Sequence, residues 1–130
     1  MHQVLELRRI VFIEEQNIPE NLELDQKDEI SVHVAAFVEG QCVATGRLTP
    51  VTEKYAVLSR IAIHKEYRSK GLGKEVVKFL EKESVLRGFK DVSLNPHAYL
   101  EDFYNRLGYK KIKDLENVGS HPLILMEKHL

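Results

Sequence analysis

The sequence has one cysteine, almost no net charge and no long apolar run, and each absence excludes a class of protein. With only Cys42 the chain cannot form an internal disulfide, which favours a reducing cytoplasm. A net charge of −1 lacks the basic excess that attracts nucleic-acid backbones. No apolar run approaches the roughly 20 residues that cross a bilayer, and we see no signal-peptide pattern. We therefore expect a cytoplasmic domain without nucleic-acid or membrane partners.

Patterns typical of metal sites and of covalent nucleophiles are also missing. The six histidines show no His-x₃-His spacing, and a Cys-x-x-Cys pair is ruled out by the single cysteine. The acidic segment 25–29 lacks the glycine and the terminal glutamate of a calcium loop. No Gly-x-Ser-x-Gly pattern is present, and Cys42 lies in an apolar segment typical of inert packing. We expect no metal cofactor, and direct transfer rather than a covalent enzyme intermediate.

Hydrophobic periodicity predicts a single α+β domain over residues 1–130. A helix-like pattern over 3–16 is followed by an acidic loop over 17–30, which begins at Asn17-Ile18-Pro19. The remaining elements are predicted as strands over 32–38, 42–48 and 55–63, a helix over 72–87, a strand over 91–94, a helix over 98–107, and strands over 109–112 and 123–128. This order predicts a mixed, mostly antiparallel sheet flanked by helices.

Charge is unevenly distributed along the chain. Residues 1–30 carry eight acids and three bases, a net charge of −5, whereas eight bases lie within residues 64–90. One interpretation is a site that binds a cationic acceptor at one end and an anionic cofactor at the other. The alternative is two solvated surfaces of opposite charge, and charge counts alone favour this alternative.

The most informative segment is Tyr67-Arg68-Ser69-Lys70-Gly71-Leu72-Gly73, between a predicted strand and the longest predicted helix. A turn at this junction aims several backbone N–H groups and the positive end of the helix dipole at one point. Arg68 and Lys70 add positive charge, and Gly71 and Gly73 permit close approach of a ligand to the backbone. The segment therefore predicts a binding site for a doubly charged phosphate group.

This pattern has a downstream companion, Tyr104-Asn105-Arg106-Leu107-Gly108-Tyr109. Together they resemble the acetyl-CoA-dependent N-acetyltransferases of the GNAT superfamily, which combine (Arg/Gln)-x-x-Gly-x-(Gly/Ala) with Tyr-x-x-x-Gly-(Phe/Tyr). The segment Val11-Phe12-Ile13-Glu14-Glu15-Gln16-Asn17-Ile18-Pro19, with Asp25 downstream, resembles a small bacterial branch of the superfamily. The resemblance implies a three-layer GNAT-like fold. The usual first strand is missing, because this sequence begins inside the first predicted helix. Either the start is truncated or mis-assigned, or the sheet lacks an edge strand, and a free edge makes a homodimer one expectation.

The resemblance also implies where acetyl-CoA binds. Backbone N–H groups of the 68–73 turn would bind the pyrophosphate, and Lys74 lies in the first helical turn beyond it. The backbone of Ile61 and Ile63 would bind the pantetheine amides by β-addition, and an N–H there would hold the thioester oxygen. The expected cofactor-binding set is Ile61, Ala62, Ile63, Arg68, Ser69, Lys70, Gly71, Leu72, Gly73, Lys74 and Tyr104. The isoleucine side chains are as readily explained as core.

The sequence offers several candidates for the catalytic residues. Tyr104 matches the family tyrosine, and its phenol would assist departure of a thiolate whose pKa is roughly 8.5. It could instead only pack beside Phe103. Glu15 and Asp25 could bind the acceptor ammonium or, through water, deprotonate it. His97 and His121 are alternative bases because imidazoles titrate near neutrality. Related chains often carry Asn or Gln at His97, so a hydrogen-bonding role is the alternative there. Each candidate could also be purely structural.

We predict from these residues an acetyl-CoA-dependent N-acetyltransferase. It would acetylate a primary amine, most simply that of a small molecule, by direct attack in a ternary complex once the ammonium has lost a proton. Two alternatives stay open at this point. One is a domain that binds acyl-CoA as a signal without catalysing transfer, and the other is an acetyltransferase that acts on a protein amine.

Overall fold

A computed structural model of the chain describes all of residues 1–130. Six strands form one sheet in the order β1-β2-β3-β4-β6-β5. The strands are β1 (Val32–Val38), β2 (Gln41–Pro50), β3 (Tyr55–Ile63), β4 (Asp91–Leu94), β5 (Lys110–Asp114) and β6 (Ile124–His129). The α-helices are α1 (His2–Arg8), α2 (Glu20–Glu23), α3 (Leu72–Leu86) and α4 (Glu101–Arg106). Neighbouring strands pair antiparallel except β3 with β4, which pair parallel, and the predicted α+β class is confirmed.

Helices cover both faces of the sheet, which gives the three layers. Alternation along β3 shows this directly, because Ile61 and Ile63 pack against the large core cluster under α3. Ala62, between them, is buried in a second cluster with α1 residues Val4 and Leu7. The sheet is therefore the middle layer, between α3 on one face and α1 on the other.

Helix α3 lies very close to the sheet because of one glycine on β2. A Cβ at Gly46 would stand 2.8 Å from side-chain atoms of both Leu80 and Val76, which are on the buried face of α3. Real side chains do not tolerate such a separation, so only glycine fits at this position. Gly88, with φ of +90°, follows the end of the helix in the left-handed conformation that favours glycine.

The predicted first helix is real but changes geometry part-way. After α1 the chain continues as a π-helix over Arg9–Glu15, a wider turn that is uncommon and frequent at functional sites. The acidic loop contains α2 and a 3₁₀ turn at Asp28–Ile30. The predicted helix over 98–107 divides into a 3₁₀ turn at Ala98–Leu100 and α4. These differences concern hydrogen-bond spacing, which hydrophobic periodicity does not encode.

Strand β1 is an edge of the sheet, paired with β2 on one side only. Phe37 and Val38 at its end are exposed apolar side chains. Homodimerisation through a free edge remains a prediction, since a single chain does not test it. No helix of the structure combines the length and the apolar character required to span a membrane.

Candidate active site

The candidate site is a cleft that opens where β3 and β4 separate. The two strands pair only from Tyr55 with Asp91 to Val57 with Ser93, and beyond these positions they diverge. The resulting cavity has a volume of about 370 Å³, and 11 of its 17 lining residues are hydrophobic. Parallel strands that stop pairing expose main chain along both walls, so the cleft suits an extended ligand with amide groups.

A β-bulge shapes the β3 wall of the cleft. The pairing register between β2 and β3 shifts between Thr45 and Arg47, and Arg60 opposite this shift has a φ of +54°. A non-glycine residue in that conformation is costly and marks a position that the surrounding structure over-determines. Arg60 and Ile61 line the cleft. Of the predicted β3 residues, Ala62 lies under α1 and Ile63 does not line the cavity.

The predicted phosphate-binding turn stands at the start of α3. A 3₁₀ turn at Lys65–Tyr67 leads into Ser69 and Gly71, with φ of +64° and +81°, and Gly71 is the N-cap residue of α3. No side chain caps the helix, so its first N–H groups remain available to a ligand. A Cβ at Gly71 would meet nothing within 4 Å, so the turn borders open space.

Arg68 is held in place beside this turn. Its Nε donates to the carbonyl of Ile63 at 3.0 Å, and its Nη2 lies 2.9 Å from a carboxylate oxygen of Glu15. Glu15 therefore belongs to the turn region and does not line the cleft. In this ion pair Glu15 orients Arg68. The contact does not support the predicted role of Glu15 as a base.

Asp25 is likewise engaged by arginines. Its two oxygens accept hydrogen bonds from Arg47 at 2.9 Å each, and Oδ2 also accepts from Arg60 at 3.2 Å. The hydrogen bonds from Arg47 hold the pKa of Asp25 well below its usual range. A carboxylate with so low a pKa is a poor proton acceptor, and Asp25 does not line the cleft. Its predicted role as a base is therefore not supported by its surroundings.

These contacts are part of a larger ion network that the sequence did not indicate. Arg8 and Glu23, only 1% and 3% exposed, bond to each other at 3.0 Å, and Arg8 also reaches Asp28 at 2.8 Å. Arg60 donates to the carbonyls of Leu22 and Glu23 and so ties the acidic loop to the bulge. The members are Arg8, Arg47, Arg60, Glu23, Asp25 and Asp28. Much of the acidic charge of residues 1–30 is thus neutralised inside the fold and does not form a free cation site.

His97 lines the cleft and belongs to a cluster with Gln16 and His121. Its Nε2 donates to the side-chain oxygen of Gln16 at 2.9 Å, and His121 Nε2 donates to the backbone oxygen of Gln16 at 2.7 Å. The two imidazoles meet edge to face at 4.7 Å. Burial, with the nearby His121, lowers the pKa of His97. A neutral imidazole whose Nε2 carries the proton keeps a basic lone pair on Nδ1.

Tyr104 is 5% exposed, and its ring lies edge to face with Phe103 and Tyr109 at 4.9 and 5.8 Å between centroids. The residue lines the cleft, and its hydroxyl makes no hydrogen bond to another protein group. Burial raises its pKa to about 12, with a smaller effect of Tyr99. The hydroxyl is therefore protonated at neutral pH and available as a donor to a ligand in the cleft.

The site thus combines a splayed pair of parallel strands, a bulge on one wall and an uncapped helix N-terminus beyond it. The family model described as "Acetyltransferase (GNAT) family" matches residues 1–109. The chain belongs to the GNAT acetyltransferase family. The motifs at residues 68–73 and 104–109 are thus those of a GNAT domain, and the protein is an acyltransferase.

Known proteins similar to this GNAT domain extend the comparison. The Bacillus subtilis protein YyaT, described as uncharacterized, is 36% identical over 133 residues, which cover 100% of this chain and 89% of that protein. An acyl-CoA N-acyltransferase from Pseudomonas aeruginosa is 28% identical with a TM-score of 0.86, over 98% of this chain and 88% of the other. An aminoglycoside 6′-N-acetyltransferase solved with coenzyme A has a TM-score of 0.80 at 19% identity, over 98% and 89% of the two chains. This last likeness concerns the fold alone.

Proposed function

We propose that the protein transfers an acetyl group from acetyl-CoA to the primary amine of a small molecule, by direct attack in a ternary complex. The observation that carries the proposal is the convergence of Tyr104 and His97 on the cleft where β3 and β4 diverge. One residue is a protonated donor and the other a neutral acceptor, and acyl transfer to an amine requires one of each.

The proposed binding site for the diphosphate is the turn at residues 68–73. Three features of the chain support it: the uncapped N-terminus of α3, the open space beside Gly71, and the positive charges of Arg68 and Lys70. Lys74, in the first turn of α3, adds a third positive charge. An aminoglycoside acetyltransferase of the same fold is solved with coenzyme A, which supports coenzyme A as the ligand.

The pantetheine arm is proposed to lie along β3, where the strand has lost its partner β4 beyond Val57. Of the predicted β3 residues Ile61, Ala62 and Ile63, Ile61, just after the bulge, borders the cleft. Its backbone N–H is the proposed donor to the thioester oxygen as negative charge develops there. The bulge at Arg60 supports this role because it turns the strand at that point.

The proposed base is His97. Its Nδ1 would accept the proton that the attacking amine loses, directly or through one water, while Gln16 keeps the ring oriented. The lowered pKa keeps this ring neutral at pH 7, as a base must be. Tyr104 would donate a hydrogen bond to the departing sulfur. The C–N bond forms as the C–S bond breaks, the thiolate takes up a proton from water, and His97 releases the proton of the amine to water, so no covalent enzyme intermediate is needed.

Two measurements test the proposal, with a matched pair of variants. Calorimetry should show that the protein binds coenzyme A, and a thiol-reactive dye should report its release from acetyl-CoA when amines are present. Lys74→Ala should weaken coenzyme A binding about three- to fivefold, because it removes one charge near the helix N-terminus. Lys78→Ala, one turn further along α3 and also exposed, should leave binding unchanged.

The outcomes separate the proposal from its alternatives. Coenzyme A binding without thiol release on any amine would favour a non-catalytic sensor. Thiol release with peptides but not with small amines would favour a protein acceptor. If the folded protein does not bind coenzyme A, the proposal is contradicted, because acetyl transfer requires that binding.

A further inference from the structure

Few ionisable side chains line the cleft between β3 and β4. Among its 17 lining residues they are Glu23, Arg60, His97 and Tyr104. The carboxylate of Glu23 is already engaged on both oxygens, by Arg8 at 3.0 Å on each and by Arg60 at 2.9 Å on Oε2. The cleft therefore offers a positively charged ligand no free carboxylate.

The other walls of the cleft are apolar. If pantetheine takes the β3 edge, as proposed above, the acceptor must contact residues contributed by other elements. From the π-helix, the loop after it and α2 come Phe12, Ile18 and Leu22, and from the segment between β5 and β6 come Val118 and Leu123. All five side chains are hydrocarbon, and the uncharged polar side chains of the lining, those of Ser59 and Asn95, come from β3 and from the segment just after β4.

We infer that the acceptor is a primary amine on an apolar body, aliphatic or aromatic, that carries no second positive charge. The inference rests on the proposed function and narrows its substrate class. An apolar body gains free energy as it leaves water for these walls. A polycation such as an aminoglycoside or a polyamine would lose hydration without finding a carboxylate partner.

A panel of amines tests the inference through thiol release from acetyl-CoA. Within the series from propylamine to hexylamine, kcat/KM should rise about fourfold for each buried methylene until the cavity is full. Phenethylamine should exceed spermidine and kanamycin by roughly tenfold or more in kcat/KM. A flat alkyl series, or a preference for spermidine, kanamycin or a lysine peptide, would overturn the inference and leave acetyl transfer intact.

Binding measurements distinguish this failure from failure of the proposed function. Calorimetry with protein saturated by coenzyme A should register hexylamine and phenethylamine at lower concentration than spermidine. If these amines bind but none is acetylated, the proposed function fails and the character of the cleft is confirmed. If spermidine binds more tightly than hexylamine, the inference fails whatever the turnover.

A matched pair of variants tests whether these walls touch the acceptor. Leu22 and Leu24 lie in the same loop and are 48% and 43% exposed, but only Leu22 lines the cleft. Leu22→Glu adds a carboxylate to the cleft and should shift the spermidine-to-hexylamine ratio of kcat/KM roughly fivefold or more toward spermidine. Leu24→Glu should leave the ratio unchanged. Equal ratios in both variants would contradict the inference.

Discussion

Replacement of Tyr104 by phenylalanine should reduce activity without weakening the fold. The hydroxyl makes no hydrogen bond within the protein, and the ring contacts with Phe103 and Tyr109 do not depend on it. Phenylalanine keeps the ring and removes only the hydroxyl oxygen of this cleft-lining residue. The free energy of unfolding should therefore change by no more than about 0.5 kcal/mol.

The size of the kinetic effect follows from the pKa of Tyr104. That pKa is raised to about 12, whereas the leaving thiol titrates at roughly 8.5. Complete proton transfer from the phenol to the thiolate would cost about 5 kcal/mol, so a hydrogen bond to the departing sulfur is the favoured role. A hydrogen bond to a charged group contributes about 1.5–3 kcal/mol. The variant should accordingly lose about 10- to 150-fold in kcat.

Thiol release with a saturating amine measures kcat, and urea unfolding measures stability. Tyr109→Phe is the matched control, because its hydroxyl donates to Glu81 at 2.8 Å and lies outside the cleft. That variant should lose about 1.5–3 kcal/mol of stability and retain kcat. A Tyr104→Phe enzyme within about twofold of the wild-type kcat would refute the assignment of Tyr104 to the leaving group.

Three further predictions concern the base, the ion network and the core. His97→Asn can still form a hydrogen bond with Gln16 and should abolish the acidic limb of the pH–rate profile. That limb lies below roughly pH 6.5 because burial lowers the pKa of His97. An unchanged limb would exclude His97 as the base. Asp25→Asn should lower the free energy of unfolding by about 1.5–3 kcal/mol at pH 7. Since the folded-state pKa of Asp25 is depressed, its stabilisation is present above the unfolded pKa of roughly 3.9 and is lost as the pH falls below it, so urea unfolding should show the difference shrinking there. Gly46→Ala should destabilise by about 1–3 kcal/mol in urea because its Cβ would stand 2.8 Å from two α3 side chains. Gly73→Ala, whose nearest contact would be 3.7 Å, should change stability little, and equal losses would contradict the packing argument.

The features that sequence predicted best are local ones. The turn at 68–73 joins a strand to a helix through consecutive residues, so its glycines and charges can be read without knowing the rest of the fold. The long helix at 72–87 shows its apolar face every three to four residues. The resemblance to the family predicts Tyr104, and the structure adds that the residue lines the cleft and that its hydroxyl has no protein partner.

The features that sequence missed depend on contacts between distant residues. Arg8, Arg47 and Arg60 come from a helix and two strands, and nothing in their spacing shows that they neutralise the acidic loop. The sequence therefore offers Asp25 as a candidate base and gives no sign of its partner Arg47, which lies 22 positions away. The meeting of Gln16 with His97 spans 81 positions and depends on how the first helix crosses the sheet.

The bulge at Arg60 was missed for a different reason. No residue type in the sequence signals a left-handed φ at a non-glycine position. This φ arises because the pairing register of β2 and β3 shifts around Gly46. An arginine whose side chain is anchored on the carbonyls of Leu22 and Glu23 stabilises this conformation. Only the three-dimensional structure brings these elements together.

A crystal structure of the protein with coenzyme A tests the central claim most directly. The diphosphate should lie on the backbone N–H groups of residues 68–73, and the sulfur should lie within hydrogen-bond distance of the Tyr104 hydroxyl. Coenzyme A bound elsewhere, or with its sulfur outside the cleft between β3 and β4, would contradict the account.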